Sequence, residues 1–406
     1  MDMDTPVPGL GRGMALLFAV SCGAVIGNIY YAQPLLAVIA GGFGAPAASL
    51  GFIVTLTQLG YACGLLFLIP LGDALDRRKL IVALLGCSAL ALAAVAVSPS
   101  LAWFAAACAA LGLCTCAAQL LVPFAASLAA ERERGRVVGT VMSGLLLGIL
   151  LARTFSGLVA QLGGWRLVYW LADAVVLLFT VILARELPGD ERRGRPLRYG
   201  ALLASLLTLA RAHPALRRRS LYGALAFACF SLFWTGLTFL LSQPPYGYGE
   251  AQIGAFGLVG AAGTLAAGGA GRLADRGHGG RVTAGCCLGI LLAFGLLWLG
   301  GTSLAALLAG VLLLDICVQA LHISNQSVIY ALAPEARSRV TTIYLVSYFL
   351  GGALGSGAAS LAYAHAGWTG VCLAGAGQAA LLQLARLTAR TEEANKQTEG
   401  LEMTTR

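Results

Sequence analysis

The sequence predicts an all-α integral membrane protein with twelve transmembrane helices in two pseudo-symmetric six-helix bundles. Three observations lead there. Of 406 residues, 58% are hydrophobic and only 11% are charged, and the mean hydropathy is +0.82, outside the range of soluble globular domains. The apolar residues fall into runs of the length a bilayer core requires, about 20 residues per helix. A short charged loop, Gly72-Asp73-Ala74-Leu75-Asp76-Arg77-Arg78-Lys79, has an echo about 200 residues later in Gly271-Arg272-Leu273-Ala274-Asp275-Arg276-Gly277. A repeat at half-chain spacing marks a duplicated membrane bundle.

Taken in order, residues 1–12 form a short polar tail. The first apolar run could pass for a signal peptide, but no soluble mature domain follows it. The expected spans are 14–39, 48–71, 79–97, 101–125, 137–161 and 166–184, then 220–242, 251–270, 282–300, 304–326, 340–363 and 368–386. The N-terminal bundle therefore covers 1–184 and the C-terminal bundle 220–390. A polar connector, 185–219, joins them, and its Leu202, Leu203, Leu206, Leu207 and Leu209 suit an amphipathic helix lying on the membrane face. Residues 391–406 read as a disordered tail.

A net charge of +9 does not point to nucleic acid, because the basic residues sit in alternate loops, with Arg166 the main exception. They cluster at Arg77 to Lys79, Arg132 to Arg136, Arg185 to Arg219, Arg272 to Arg281, Arg337 with Arg339, and Arg386 with Arg390. This is the positive-inside pattern, which puts these loops and both termini in the cytoplasm. The eleven cysteines lie inside apolar runs and read as small buried hydrophobes. They imply no disulfide framework, and no metal site or cofactor is expected.

The duplication extends beyond the charged loops. At an offset of 203, Arg136 matches Arg339, Gly148 matches Gly351, and Gly164-Trp165 matches Gly367-Trp368. Glycines three or four apart recur at Gly60/Gly64, Gly144/Gly148, Gly260/Gly263 and Gly351/Gly355, spacings that let helices approach closely in lipid. Between two such bundles a cavity is expected near the bilayer midplane.

Ionisable groups inside spans are costly and therefore candidates for function. They are Arg153, Asp173, Asp315 and His322, with Glu250 at the edge of a span. Gln319 and His322 follow Asp315 at i+4 and i+7, on one helix face. Asp315 can be a proton carrier or a packing residue, and His322 a relay or a satisfied polar group. Arg153 needs an anion, and both Asp315 and Asp173 are available. Pro34 should kink the first span, and Asn28 with Tyr31 shares one of its faces. Gln58, Tyr61 and Gln119 add polar groups, and Phe230 and Trp234 belong to an aromatic face on span 7. Such a lining suits a neutral or amphipathic organic molecule.

The two charged loops resemble the signature Gly-x-Leu-Ala-Asp-Arg-x-Gly-Arg-Lys of the major facilitator superfamily. Gly271 to Arg276 fits its first six positions. The first copy keeps Gly72, Asp76 and Arg77, with Ala74 for Leu and Lys79 for the second Gly. The resemblance implies a conformational latch made by Gly72, Asp76, Arg77, Gly271, Asp275 and Arg276. It also implies that span 10, with Asp315, lines the cavity. Asn28 to Pro34, the Gly72-Asp73 start of the loop, Gly148 to Arg153 and Asp315 to Gln326 together resemble the bacterial drug:proton antiporter branch, nearest its purine-ribonucleoside efflux pump-like group. Departures are the absence of any charge in span 4 and Gly148-Ile149 where that branch has Gly-Pro.

The resemblance implies a secondary transporter in the bacterial inner membrane, exporting a small organic compound against protons by alternating access. The alternative is a proton symporter importing a nucleoside, sugar or organic acid. The expected partners are substrate, protons and the lipid bilayer, with no nucleic acid and a monomeric chain. The sequence has no Asp-x-x-Asp within a span, no His-Glu-x-x-His and no P-loop, so an enzyme or an ATP-driven pump is not expected.

Overall fold

The computed structural model describes residues 11–46, 50–189, 199–266, 279–332 and 336–404, with side chains of 73, 264–266 and 390–404 left aside. Every regular element among them is helical. In chain order these are α1 (Arg12–Gly27), α2 (Leu36–Phe43), α3 (Gly51–Cys63), α4 (Arg77–Ala96), α5 (Leu101–Thr115), α6 (Ala117–Leu128), α7 (Arg134–Glu186), α8 (Tyr199–Ala212), α9 (Pro214–Leu241), α10 (Glu250–Ala266), α11 (Gly279–Leu299), α12 (Leu304–Leu332) and α13 (Arg337–Thr404).

Among the described residues, eight helical stretches are long and apolar enough to cross a membrane. Two of them, Arg134–Glu186 and Arg337–Ala389, run for 53 residues each, about twice what a bilayer core requires. Each is broken in the middle. Gly164 takes φ 77° in α7 and Gly367 takes φ 56° in α13, a left-handed backbone that glycine adopts without steric cost. These are the two glycines matched at an offset of 203 in the sequence, so the duplication is written into the backbone. Large apolar side chains lie open on the outside, among them Leu90, Leu162 and Leu354. Lipid, not water, is the solvent such a surface suits.

The first span does not form one kinked helix. Backbone bonding changes from i−4 to i−3 beginning at Asn28 (Asn28 N–H to Val25 O 3.2 Å, Tyr30 N–H to Gly27 O 2.9 Å), and Leu35 still bonds Ala32. The break thus opens six residues ahead of Pro34 and closes in a short 3-10 turn, Gln33–Leu35. The tighter winding places residues three apart on one side, which keeps Asn28 and Tyr31 together. Span 2 also ends irregularly, α3 passing into a π-helical turn at Gly64–Leu68 and a 3-10 turn at Ile69–Asp73 containing Pro70. Span 7 begins at Pro214, earlier than expected. The connector helix α8 forms, burying Leu202 and Leu206 and exposing Leu207. At the other end, α13 runs on to Thr404, through the stretch that reads as a disordered tail.

The chain divides into two compact units, Met1–Ser205 with Leu241–Leu258, and Leu206–Leu240 with Val259–Arg406. Small residues hold each together at backbone distance. In the first unit a Cβ on Gly148 would lie 2.1 Å from the Gly23 carbonyl oxygen, and one on Gly144 2.2 Å from that of Ala19. In the second, Cβ atoms on Gly351 and Gly355 would each lie 2.1 Å from the carbonyls of Ala224 and Ala228. The seams read from glycine spacing are real contacts, and they pair equivalent spans in both units.

Candidate functional site

In the first unit several candidate residues make buried polar contacts. Arg153, on the first half of α7, is 3% exposed. Its Nε donates to Gln33 Oε1 at 2.8 Å, and its guanidinium lies 4.9 Å from the centre of the Tyr30 ring. Both contacts come from the irregular segment after α1, which turns a side-chain amide and an aromatic face towards the cation. A neutral acceptor and a π face soften the cost of burying the charge. Sequence reasoning sought an anion and missed Gln33 and Tyr30, although both stand in the run around Pro34. Asp173, on the second half of α7, is also buried. Among the described residues no ion pair joins it to Arg153, and its Oδ1 has no hydrogen-bond partner.

The other residues expected to line the cavity in this unit make separate contacts. Asn28 Nδ2 reaches Ser88 Oγ at 3.5 Å, while its Oδ1 is buried with no partner. Gln119, on α6, donates from Nε2 to the Tyr61 hydroxyl at 3.1 Å. Gln58 and Tyr61 share α3 and are fully buried. Tyr31 packs its ring 5.7 Å from that of Phe155. Thr57, by contrast, spends its hydroxyl on the Ile53 carbonyl of its own helix. Within the same unit Thr154 Oγ1 donates to Gly254 O at 3.0 Å, and Gly157 lies against the Glu250 carbonyl.

The second unit carries an aromatic run with a carboxylate at one end. Asp315, on α12, is 3% exposed. Gly260 of α10 lies under both Asp315 and Trp234, for a Cβ there would come within 2.9 Å of Asp315 Oδ1 and 2.8 Å of the Trp234 ring. From Trp234 the rings continue along α9 through Phe230, 6.1 Å away, to Phe227, stacked at 5.5 Å. Tyr348 of α13 stacks on Phe227 at 4.0 Å, and the His322 ring is 4.7 Å from Tyr348. His322 Nδ1 closes the run with the Tyr344 hydroxyl at 3.0 Å. Tyr344 and Tyr348, the partners of His322, were not singled out from the sequence. Gln319 is half-buried one turn from Asp315. Beyond His322, Arg219 Nη1 donates to Thr283 Oγ1 at 3.0 Å and Asn325 Oδ1 at 3.2 Å.

Of the two expected latch loops, the first is described. Asp76 caps α4, accepting from the Lys79 N–H at 3.1 Å, a favourable place for a carboxylate. Arg77 Nε donates back to the Gly72 carbonyl at 3.0 Å. A Cβ on Gly72 would meet the terminal methyl of Leu120 at 2.9 Å, a contact that a small shift of the leucine relieves. Gly271, Asp275 and Arg276 lie outside the described residues.

A sequence profile of the Major Facilitator Superfamily matches residues 16–356, and again 270–405. The chain belongs to the major facilitator superfamily. It is 48% identical over 374 residues to the uncharacterized transporter YgaY of Escherichia coli O157:H7, covering 92% of this chain and 95% of that one. It is 36% identical over 360 residues to the probable transporter SCO4007 of Streptomyces coelicolor, covering 88% and 83%. The crystal structure of the nucleoside transporter NupG superposes with a TM-score of 0.73 at 14% identity, covering 92% of this chain and 98% of NupG. At that identity the likeness speaks for the fold alone. As a superfamily member the chain is a multi-pass, lipid-embedded secondary transporter of small molecules, not an enzyme.

Proposed function

We propose that this superfamily member exports a small neutral or amphipathic organic compound in exchange for protons, by alternating access. It works in the bacterial inner membrane as a monomer with both termini in the cytoplasm and binds no nucleic acid. Its twelve helices form two six-helix bundles, 1–184 and 220–390. The resemblance to the drug:proton antiporter branch belongs to this reading. The observation that carries it is the buried Asp315 at the end of an aromatic run, packed with Trp234 over Gly260. A carboxylate in an apolar setting can hold a proton on one side of the membrane and release it on the other. The neighbouring rings give a substrate apolar area with few fixed charges. In this reading Arg153 sets the electrostatics of the polar side and His322 assists proton passage. Asn28, Tyr31, Gln58, Tyr61, Gln119, Phe230, Trp234 and Gln319 contact substrate, and Asp76 and Arg77 latch the first charged loop.

The test is transport in proteoliposomes under an imposed pH gradient, screening candidate compounds, with Asp315→Asn beside the wild type. The expected outcome is that the variant still exchanges bound substrate but no longer concentrates it against a gradient. Full gradient-driven transport by Asp315→Asn would end the proton-carrier assignment. Direction is tested by deletion, which should raise the intracellular level of the exported compound. If expression speeds net uptake instead, export is wrong.

A further inference from the structure

A groove in the first unit plays no part in the transport reading. It has a volume of about 310 Å³ and is lined by Arg78, Lys79, Val82, Ala83 and Ala184. It therefore lies between the first turns of α4 and the last turn of α7, at the ends of two helical stretches long and apolar enough to cross a membrane. The half-buried Arg78 donates from Nη2 to the Ala184 carbonyl, which fixes the guanidinium at the rim and leaves further N–H donors on it. Lys79 is exposed beside it. Among the described residues neither cation forms an ion pair. The adjacent acid, Asp76, is turned onto the backbone of its own helix.

Away from the two cations the walls are apolar and stay open. On α4 the exposed positions below Lys79 are Ala83, Cys87 and Leu90, which recur at the spacing of a single helix face. On α7, Leu177 and Val181 lead up to Ala184 at i, i+4 and i+7, and both are nearly half exposed. Two positive groups thus stand at the head of two exposed apolar stripes, at the ends of helices long and apolar enough to cross a membrane. A soluble anion would use the cations and leave the stripes idle. A zwitterionic headgroup would bring its own cation against Arg78 and Lys79.

We propose that this groove binds an acidic glycerophospholipid, its phosphodiester on Arg78 and Lys79 and an acyl chain along the stripes. The chemistry is that of basic pockets between membrane helices. The test is native mass spectrometry of the full chain in detergent, titrated with dioleoylphosphatidylglycerol or dioleoylphosphatidylcholine. The wild type should retain one phosphatidylglycerol with a preference of about tenfold over phosphatidylcholine. R78Q/K79Q should lose that preference, and R78K/K79R should keep it. R12Q/R132Q, which removes the same charge elsewhere, should also keep it. Should R78Q/K79Q fail to fold, Lys79→Gln alone carries the test, since that side chain is exposed. Loss of the preference in R12Q/R132Q, or its survival in R78Q/K79Q or in the single variant, overturns the proposal. Complete displacement of the lipid by millimolar inorganic phosphate overturns it too, because the site would then take a free anion.

Discussion

Replacing Gly148 by alanine tests the packing that holds the first unit together. The added methyl carbon would stand 2.1 Å from the Gly23 carbonyl oxygen and 2.4 Å from its Cα, while ordinary contact begins at 3.4 Å. The shortfall is about 1.3 Å, and both obstructing atoms are backbone. No rotamer change can relieve the contact, so α1 and α7 must separate or bend. Overpacking of this kind typically costs about 1–3 kcal/mol, and here the whole seam from Ala19 to Gly23 loses contact. Gly86 is the control, since it lies on α4 with nothing within 4 Å of its Cβ position. Gly86→Ala should be neutral or stabilising by up to about 1 kcal/mol through helix propensity. The assay is thermal unfolding of the purified protein in detergent, with Gly351→Ala measured alongside. Gly148→Ala and Gly351→Ala should fall together, well below wild type, and Gly86→Ala should not. If Gly148→Ala unfolds with Gly86→Ala, the helices are not in backbone contact and the reasoning fails.

Three further outcomes are expected. Arg153→Lys should cut transport at least tenfold in proteoliposomes while leaving expression intact, because a lysine cannot both bond Gln33 and lie flat over Tyr30. The hydrogen bond between His322 and Tyr344 should couple the two in a double-mutant cycle. His322→Ala and Tyr344→Phe would each destabilise by about 1 kcal/mol, and the double variant would lose clearly less than the sum. Gly260→Ala places a methyl against Asp315 and Trp234 without altering any charge. It should depress proton-driven transport more than substrate exchange, which paired flux measurements separate.

Much of this architecture was legible because lipid imposes simple rules. Eight long apolar helical stretches are readable from the length of apolar runs, and the breaks at Gly164 and Gly367 from a repeated Gly-Trp. The seams follow from glycine spacing, since small residues let backbones approach closely. What stayed hidden depends on how the backbone bonds are shared. Pro34 announces one missing donor, yet the change from i−4 to i−3 bonding starts at Asn28, where no residue forbids an ordinary helix. The same holds at Gly64–Leu68, where α3 widens into a π turn ahead of Pro70. The acceptor of Arg153 was hidden for another reason. Gln33 lies 120 residues away along the chain, and a rule that seeks a carboxylate for every buried cation overlooks an amide. His322 shows the limit from the other side: its polarity is plain, but its tyrosine partners belong to a helix packed on it only in the fold.

The two units share a backbone plan and differ at a few facing positions. Shifting by 203 positions carries Thr57, Gly60, Ala109 and Gly112 onto Gly260, Gly263, Leu312 and Asp315. In the first unit the small residue is Gly112, and a Cβ on it would lie 2.0 Å from the Thr57 carbonyl. In the second the assignment is reversed, with glycine at 260 and a carboxylate at 315. The companion contact loosens as well: a Cβ on Gly60 would be 2.1 Å from the Ala109 carbonyl, one on Gly263 3.1 Å from that of Leu312. One seam has therefore been opened by about 1 Å relative to its counterpart, and the space is filled by an acid. Arg153 shows the complementary divergence, because its counterpart Ser356 is a buried hydroxyl bonded to its own helix. A carboxylate that merely filled a packing gap would not require a glycine to vacate the facing helix, since any small apolar residue would close the seam at lower cost. The reversal at 260 and 315 makes room for a carboxylate, as the proposed proton-carrier role of Asp315 requires.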